Sequence, residues 1–362
     1  MRLIYSILFL ASVWCSAFAQ GAAEGVRVVV DTTFTHRLFV PGTGNVTGAD
    51  GVISIPMDDH RSIFLWGDSF YGEVDGNTRP STAPFISGNA LTIESPDGPR
   101  TVTAGTPEAP TSLLTTGEKD GMRTVLWPAH GFCRDGMLHL FLEDIVAFGN
   151  GTFDFYWHSI DYARLSLDDF SLIDMRNIPS PDLGSVHFGF ACIDEGKYVI
   201  TYGSKLVDGN HKLYVARSKY NKKRKSLTTM EYWNGRKWST DTTTVHALEG
   251  DVPNMSEQFS VFKYGKKYIL LTQAHGTSDI YTSVADHPWG PWRNTKKIFT
   301  TPEAGSKEGW ITYNAMAHHQ YIENNMLLVG YCVNTLDFPQ LWSDVTSYRP
   351  RFFWVNLDDI IK

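Results

Sequence analysis

The stretch EQFSVFKYGKKYILLTQAH, from Glu257 to His275, decides the fold. A polar residue opens it, a short apolar strand follows, a turn forms around Gly265, and a strongly apolar strand leads to a polar end. Short runs rich in Val, Ile, Phe and Tyr on either side of a glycine turn indicate a β-hairpin. The plan recurs in DGVISIPMDDHRSIFLWGDS (Asp50 to Ser69), HGFCRDGMLHLFLED (His130 to Asp144), HFGFACIDEGKYVITYGS (His187 to Ser204) and NAMAHHQYIENNMLLVGYCVN (Asn314 to Asn334). Further strands follow several copies, at Asp161 to Leu165, Tyr214 to Ser218 and Ile280 to Val284. The units return about every 55–80 residues, slightly longer than typical propeller blades. The expected fold class is therefore all-β, a five-bladed β-propeller. A β-sandwich with irregular loops is the alternative, and it does not account for the repeat. Arg27 to Phe34 (RVVVDTTF) lies outside the copies and is expected to pair near Arg351 to Val355, joining the ends of the ring.

In a propeller the first strand of each unit lines the axis and the second returns to the same face. Residues that open the first strand or close the second then meet at one mouth. The openers are Asp50, His130, His187, Glu257 and Asn314, and the closers are Asp68, Glu143 with Asp144, Ser204, His275 and Asn334. All are polar although the strands between them are apolar. Ionisable groups gathered near an axis are costly unless paired or used, and like charges raise some carboxyl pKa values, as a general acid requires. Glycoside hydrolysis needs two such carboxyl groups flanking the bond. Asp50, Asp68 and Glu257 are the expected catalytic carboxylates. Trp66, Trp127 and Tyr313 are aromatics suited to stacking on sugar faces. Simpler roles compete: Asp50 as a turn residue, Asp68 as a loop cap, Glu257 in an ion pair, and each histidine as a hydrogen-bonded structural residue.

The chain has 362 residues, of which 20% are charged and 13% aromatic, enough apolar mass for a large core. No Pro/Ser/Gly-rich linker divides it, so residues 20–362 are expected to form one domain. A net charge of -7 gives no electrostatic case for nucleic acid. The basic run from Lys219 to Lys225 fits a solvated hairpin tip. Residues 1–19 read as a signal peptide: Arg2, an apolar run from Leu3 to Trp14, and an A-x-A site at Ala17-Phe18-Ala19. The expected product is secreted or periplasmic, begins at Gln20, has no transmembrane anchor and is a monomer. Cys133, Cys192 and Cys332 sit in apolar runs and are expected as buried free thiols. Without a CxxC or HExxH pattern no metal or other cofactor is expected, although His318 or His319 could supply a ligand to an axial ion.

Thr47-Gly48-Ala49-Asp50-Gly51, then Phe64-Leu65-Trp66-Gly67-Asp68-Ser69-Phe70, resembles the opening of a bacterial propeller family first described as a domain of unknown function and associated with endo-D-arabinofuranases. Tyr313-Asn314, Leu328 to Asn334 and Tyr348-Arg349-Pro350-Arg351-Phe352 are similar to its end. The chain also resembles the wider group of arabinanase, xylosidase and fructosidase propellers. The resemblance covers nearly the whole mature chain and implies hydrolysis of a furanoside-containing, arabinan-type polysaccharide or oligosaccharide. Asp50 and Asp68 match its motif positions, Glu257 aligns through the repeat, and His130 and His187 as openers depart from the pattern. Trp66, His130, Glu143, Asp144, His187, His275, Tyr313, Asn314 and Arg349 are the expected substrate-binding residues. A propeller that binds carbohydrate without cleaving it is the alternative. A protein-interaction propeller would need no acidic mouth.

Overall fold

The computed structural model describes residues 20–58, 60–149, 151, 153–178 and 186–362. The expected signal peptide, residues 1–19, lies outside them. Among the described residues strands dominate, and the α-helices are single turns at Phe34–Leu38, Gln340–Ser343 and Leu357–Ile361.

Among the described residues, five antiparallel sheets have four or more strands each. The first holds Ile53–Pro56, Ser62–Trp66, Ala90–Glu94 and Arg100–Val102. The second is built on the hairpin Met122–Arg134 and Met137–Ala147, the third on His187–Asp194 and Tyr198–Val207, the fourth on Ser260–Tyr264 and Lys267–Gln273, and the fifth on Trp310–Glu323 and Met326–Thr335. Each repeated unit of the sequence thus folds as the leading hairpin of a sheet. The first strands lie side by side in chain order, and Trp310–Glu323 returns against Ile53–Pro56. Two stacked sheets, as in a sandwich, are not what these residues form.

The fifth sheet is completed from the other end of the chain. Val28–Asp31 pairs antiparallel with Arg351–Asn356, Val28 facing Val355 and Asp31 facing Phe352. Trp354 Nε1 donates to Asp31 Oδ2 at 2.9 Å, and Arg27 Nε donates to Asp359 Oδ2 at 2.9 Å. Sequence-distant segments, Val28–Asp31 and Arg351–Asn356, therefore share one sheet.

Apolar faces pack between neighbouring sheets. Trp66 is fully buried there, stacked on Phe64 at 5.8 Å and tilted against Phe39 at 5.1 Å. Its indole N–H donates to Thr92 Oγ1 at 2.8 Å, so its single polar group is satisfied inside the core. This corrects the expectation that Trp66 meets a sugar: strand alternation turns it into the sheet interface, with Gly67 and Asp68 beyond it at the mouth. Cys192 and Cys332 are buried free thiols, whereas Cys133 is half-buried. Lys222 to Lys225 form an exposed turn. Trp66→Ala is expected to lower the unfolding free energy by about 3–5 kcal/mol through cavity formation. Denaturant unfolding measures this, and a loss below about 1 kcal/mol would contradict the core assignment.

Candidate active site

The turn Asp50-Gly51 meets the turn Gly67-Asp68 across two backbone hydrogen bonds, Asp50 N–H to Asp68 O at 3.4 Å and Gly67 N–H to Asp50 O at 3.0 Å. Gly51 adopts φ +97°, a left-handed conformation that glycine takes without strain. A Cβ at Gly67 would lie 2.5 Å from Asp50 Oδ1, so a side chain there would displace the Asp50 carboxyl. The TGADG and WGDS motifs are thus two halves of one device that brings two aspartates together. Arg349, buried, donates from Nε to the Thr47 carbonyl at 2.7 Å, and Tyr348 donates its hydroxyl to the Asp68 carbonyl at 2.9 Å. Arg349 was expected to bind substrate. It instead anchors the strand that leads to Asp50, its length spent reaching backbone.

Both carboxyls face a pocket of about 490 Å³, whose lining also includes Trp127, Glu143, Phe155, Trp157, Glu257, Gln258, Tyr313, Asn314, Asn334 and Tyr348. Tyr313 donates its hydroxyl to Asp50 Oδ2 at 2.9 Å and accepts from Asn334 Nδ2 at 3.1 Å. Asp68 Oδ1 accepts from the Gly88 N–H at 3.0 Å and from Trp127 Nε1 at 3.1 Å. Burial, and secondly the Asp68 charge, push the Asp50 carboxyl up to about 7, against the pull of the two tyrosine hydroxyls. Burial also raises Asp68, while Trp127 and Gly88 oppose the rise.

A second carboxyl pair lies in the same pocket. Glu143, buried, accepts from Gln258 Nε2 at 3.1 Å, and Gln258 Oε1 accepts from Asn314 Nδ2 at 2.7 Å. Burial and the neighbouring Glu257 hold Glu143 well above the usual carboxylate range. Glu257 is opposite in character. Burial alone would raise it, but His187, with Nδ1 2.5 Å from Glu257 Oε1, and the nearby His211 and His275 outweigh burial and hold it below its ordinary value. The His187 ring is stacked on Trp157 at 3.9 Å with planes 15° apart, which fixes its aim. Glu143, His187 and Glu257 each place one ligand atom within 4.8 Å of the others, a spacing that among the described residues could hold a metal ion.

Asp50, Asp68, Glu143, Glu257, Tyr313 and Asn314 therefore share one pocket, with His187 behind Glu257. The other expected site residues do not join them. His130 sits beyond a bulge at Pro128/His130, its Nδ1 2.9 Å from the Gly131 carbonyl, and lines a separate cavity of about 250 Å³ with Cys133, Cys192 and His319. The strand there begins at Met122, earlier than the repeat suggests, and it is Trp127 that faces Glu143 across the hairpin. Asp144 follows Glu143 and points to the opposite face, where Thr116 Oγ1 lies 3.4 Å from its Oδ1. His275 is exposed beside His211, with ring centroids 5.1 Å apart. His318, considered above as an axial ligand, is buried with Nδ1 2.7 Å from Ser54 Oγ.

Sequence reasoning missed Trp157, Gln258, Phe155 and Tyr348. Gln258 beside the Glu257 opener, and Tyr348 within the Tyr348 to Phe352 motif, carried a signal. Phe155 and Trp157 carried none, since they extend a hairpin past the repeated unit. The raised Asp50 carboxyl also has a consequence for stability. The folded state binds that proton more tightly than the unfolded chain does, so the favourable contribution is complete below about pH 4 and is lost as pH rises through about 7. Asp50→Asn removes the ionisation and is expected to raise the melting temperature relative to wild type at pH 8, with the gain shrinking towards pH 5. A pH-independent difference in thermal melts would contradict this.

The fold has solved counterparts. A protein from Bacteroides ovatus described as a candidate hydrolase is 18% identical, with 94% of this chain and 92% of that one covered at a TM-score of 0.76. The RS223 β-xylosidase is 12% identical over 87% and 93% of the two chains, at 0.50. The α-L-arabinofuranosidase PaAbf62A of Podospora anserina, solved with cellotriose, is 12% identical over 88% and 94%, at 0.45. At these identities the likeness concerns fold: all-β, of the kind found in propeller glycoside hydrolases. A search of curated proteins finds no match. No helix among the described residues is long and apolar enough to cross a membrane. Residues 31–357, most of the chain, match one family model, and the chain belongs to DUF5005, a domain of unknown function.

Proposed function

We propose that this protein is a secreted, monomeric glycoside hydrolase whose five sheets are the blades of a five-bladed propeller. Its substrate on this reading is a furanoside-containing polysaccharide of the arabinan type. One observation carries the catalytic reading: a single pocket holds Asp50, pushed up to about 7, and Glu257, held below its ordinary value by His187. Two carboxyls driven apart in pKa are what acid–base cleavage of a glycoside requires. The sugar class rests on the resemblance of the Thr47 to Gly51 and Phe64 to Phe70 motifs, and export on the leader-like residues 1–19.

In the proposed reaction Asp50 gives its proton to the glycosidic oxygen as the bond to the anomeric carbon breaks. Glu257, ionised, either takes the proton of a water whose oxygen bonds to that carbon, or bonds to the carbon itself, in which case a water deprotonated by Asp50 then displaces Glu257 and releases the sugar. Asp68 keeps the Asp50 proton in place between turnovers through its adjacent charge. Tyr313, hydrogen-bonded to Asp50 Oδ2, fixes the direction of transfer. Walls of Trp127, Phe155 and Trp157 exclude water and offer flat apolar faces to sugar C–H groups.

Asp50→Asn, Asp68→Asn and Glu257→Gln are each expected to lose about 10²–10⁴ in turnover on arabinan, arabinogalactan or a related polysaccharide, while still melting cooperatively. Wild-type activity should fall as pH rises through about 7, where Asp50 loses its proton. On the acid side it should persist to below the ordinary glutamate value of about 4.3. Folded variants with near-wild-type turnover would overturn the assignment. Binding of polysaccharide with no cleavage across the panel would favour a carbohydrate-binding propeller.

A further inference from the structure

The pocket has two chemically distinct zones. Its floor carries the carboxyls with Gln258, Asn314 and Asn334, whereas its mouth is rimmed by Phe85, Phe153, Leu336 and Phe338. These four side chains are 48%, 70%, 54% and 39% exposed. Among the described residues the exposed phenylalanines are Phe85, Phe148, Phe153 and Phe338, so three of the four converge on one opening. They come from three separate segments: the strand Phe85–Ile86, the connection after Ala147, and the turn after Thr335. Scattered apolar residues on a surface need no explanation, but four exposed apolar side chains lining one pocket mark a binding surface.

The residue types narrow what the rim binds. Tyrosine and tryptophan combine an apolar face with a hydrogen-bonding group, which suits a hydroxylated sugar. Those types line the inner pocket as Trp127, Trp157, Tyr313 and Tyr348, with Phe155 packed on Trp127. Phenylalanine and leucine at the mouth have no polar atom to offer. A bare saccharide gains no hydrogen bond from these side chains, whereas an apolar substituent would cover them and remove apolar surface from water.

We infer that the substrate is amphiphilic: a saccharide that reaches the carboxyl floor and carries an apolar substituent, acyl or aryl, that lies against the Phe85, Phe153, Leu336 and Phe338 rim. This deepens the glycosidase reading by naming the substrate class, and it rests on that reading for the saccharide end only. Phe85 packs on Phe70 with centroids 4.7 Å apart and is partly structural. Phe153 and Phe338 are the positions to vary.

The probes are methyl, phenyl and octyl glycosides of one sugar, arabinofuranose, with the octyl compound kept below its micelle concentration. Affinity is measured by titration calorimetry and cleavage is measured separately. Octyl and phenyl glycosides are expected to bind about tenfold or more tighter than the methyl glycoside, through burial of the added carbons. In a Phe153→Ser/Phe338→Ser variant that melts like wild type, the gain should vanish while methyl-glycoside affinity stays. An octyl gain without a phenyl gain assigns an acyl chain, and the reverse assigns an aryl group. Equal affinity for all three, a gain that survives the double substitution, or no binding of any probe overturns the inference. Tighter octyl or phenyl binding without cleavage leaves the rim assignment standing and counts against hydrolysis. Cleavage without any gain does the opposite.

Discussion

Asp50 and Asp68 are held together by backbone, and the chemistry of the pocket depends on that constraint. Two main-chain hydrogen bonds lock the turns that carry them, and Gly67 leaves no side chain to keep the Asp50 carboxyl away. Neither aspartate can move off to solvate its charge without opening the turn pair. Proximity and burial then act on the same group, which is why the Asp50 carboxyl rises to about 7. Arg349, Arg79 and Tyr348 hold the surrounding backbone by hydrogen bonds to the carbonyls of Thr47 and Asp68.

The second carboxyl pair answers the first. Glu143 and Glu257 also lie close, but His187 stands beside Glu257 and is itself clamped by Trp157. One member is pushed up and its neighbour down. A pocket with four neutral carboxyls would be a weak base, and one with four charged carboxyls would be poorly stable. The arrangement keeps a proton donor and an ionised partner in one cavity, set by a turn pair on one side and a histidine on the other.

The fold was largely legible because its signal is local. A hairpin of two apolar strands about a turn is written into each repeated segment, and of the candidate strand Arg27 to Phe34 the part Val28–Asp31 pairs with Arg351–Asn356 while Phe34 begins a helical turn. The pocket was legible where an opener or closer abuts a turn, as at the openers Asp50 and Glu257 and the closer Asp68. It was misread where strand length or register departs from the repeat. The strand at Met122–Arg134 starts early and bulges at Pro128/His130, which takes His130 off the mouth and puts Trp127 there. Trp66 and Asp144 failed on facing, since one residue along a strand reverses direction. Arg349 failed because its partners are backbone carbonyls, which no side-chain pattern announces.

Carbon-13 NMR titration of the aspartate and glutamate side-chain carboxyls in the intact protein, assigned with Asp50→Asn and Glu257→Gln, tests the division of protons most directly. The account predicts one aspartate carboxyl titrating near pH 7, absent from Asp50→Asn, and a glutamate titrating below the ordinary range, absent from Glu257→Gln. Asp50 and Glu257 both titrating at ordinary carboxylate values, about 4, would contradict it.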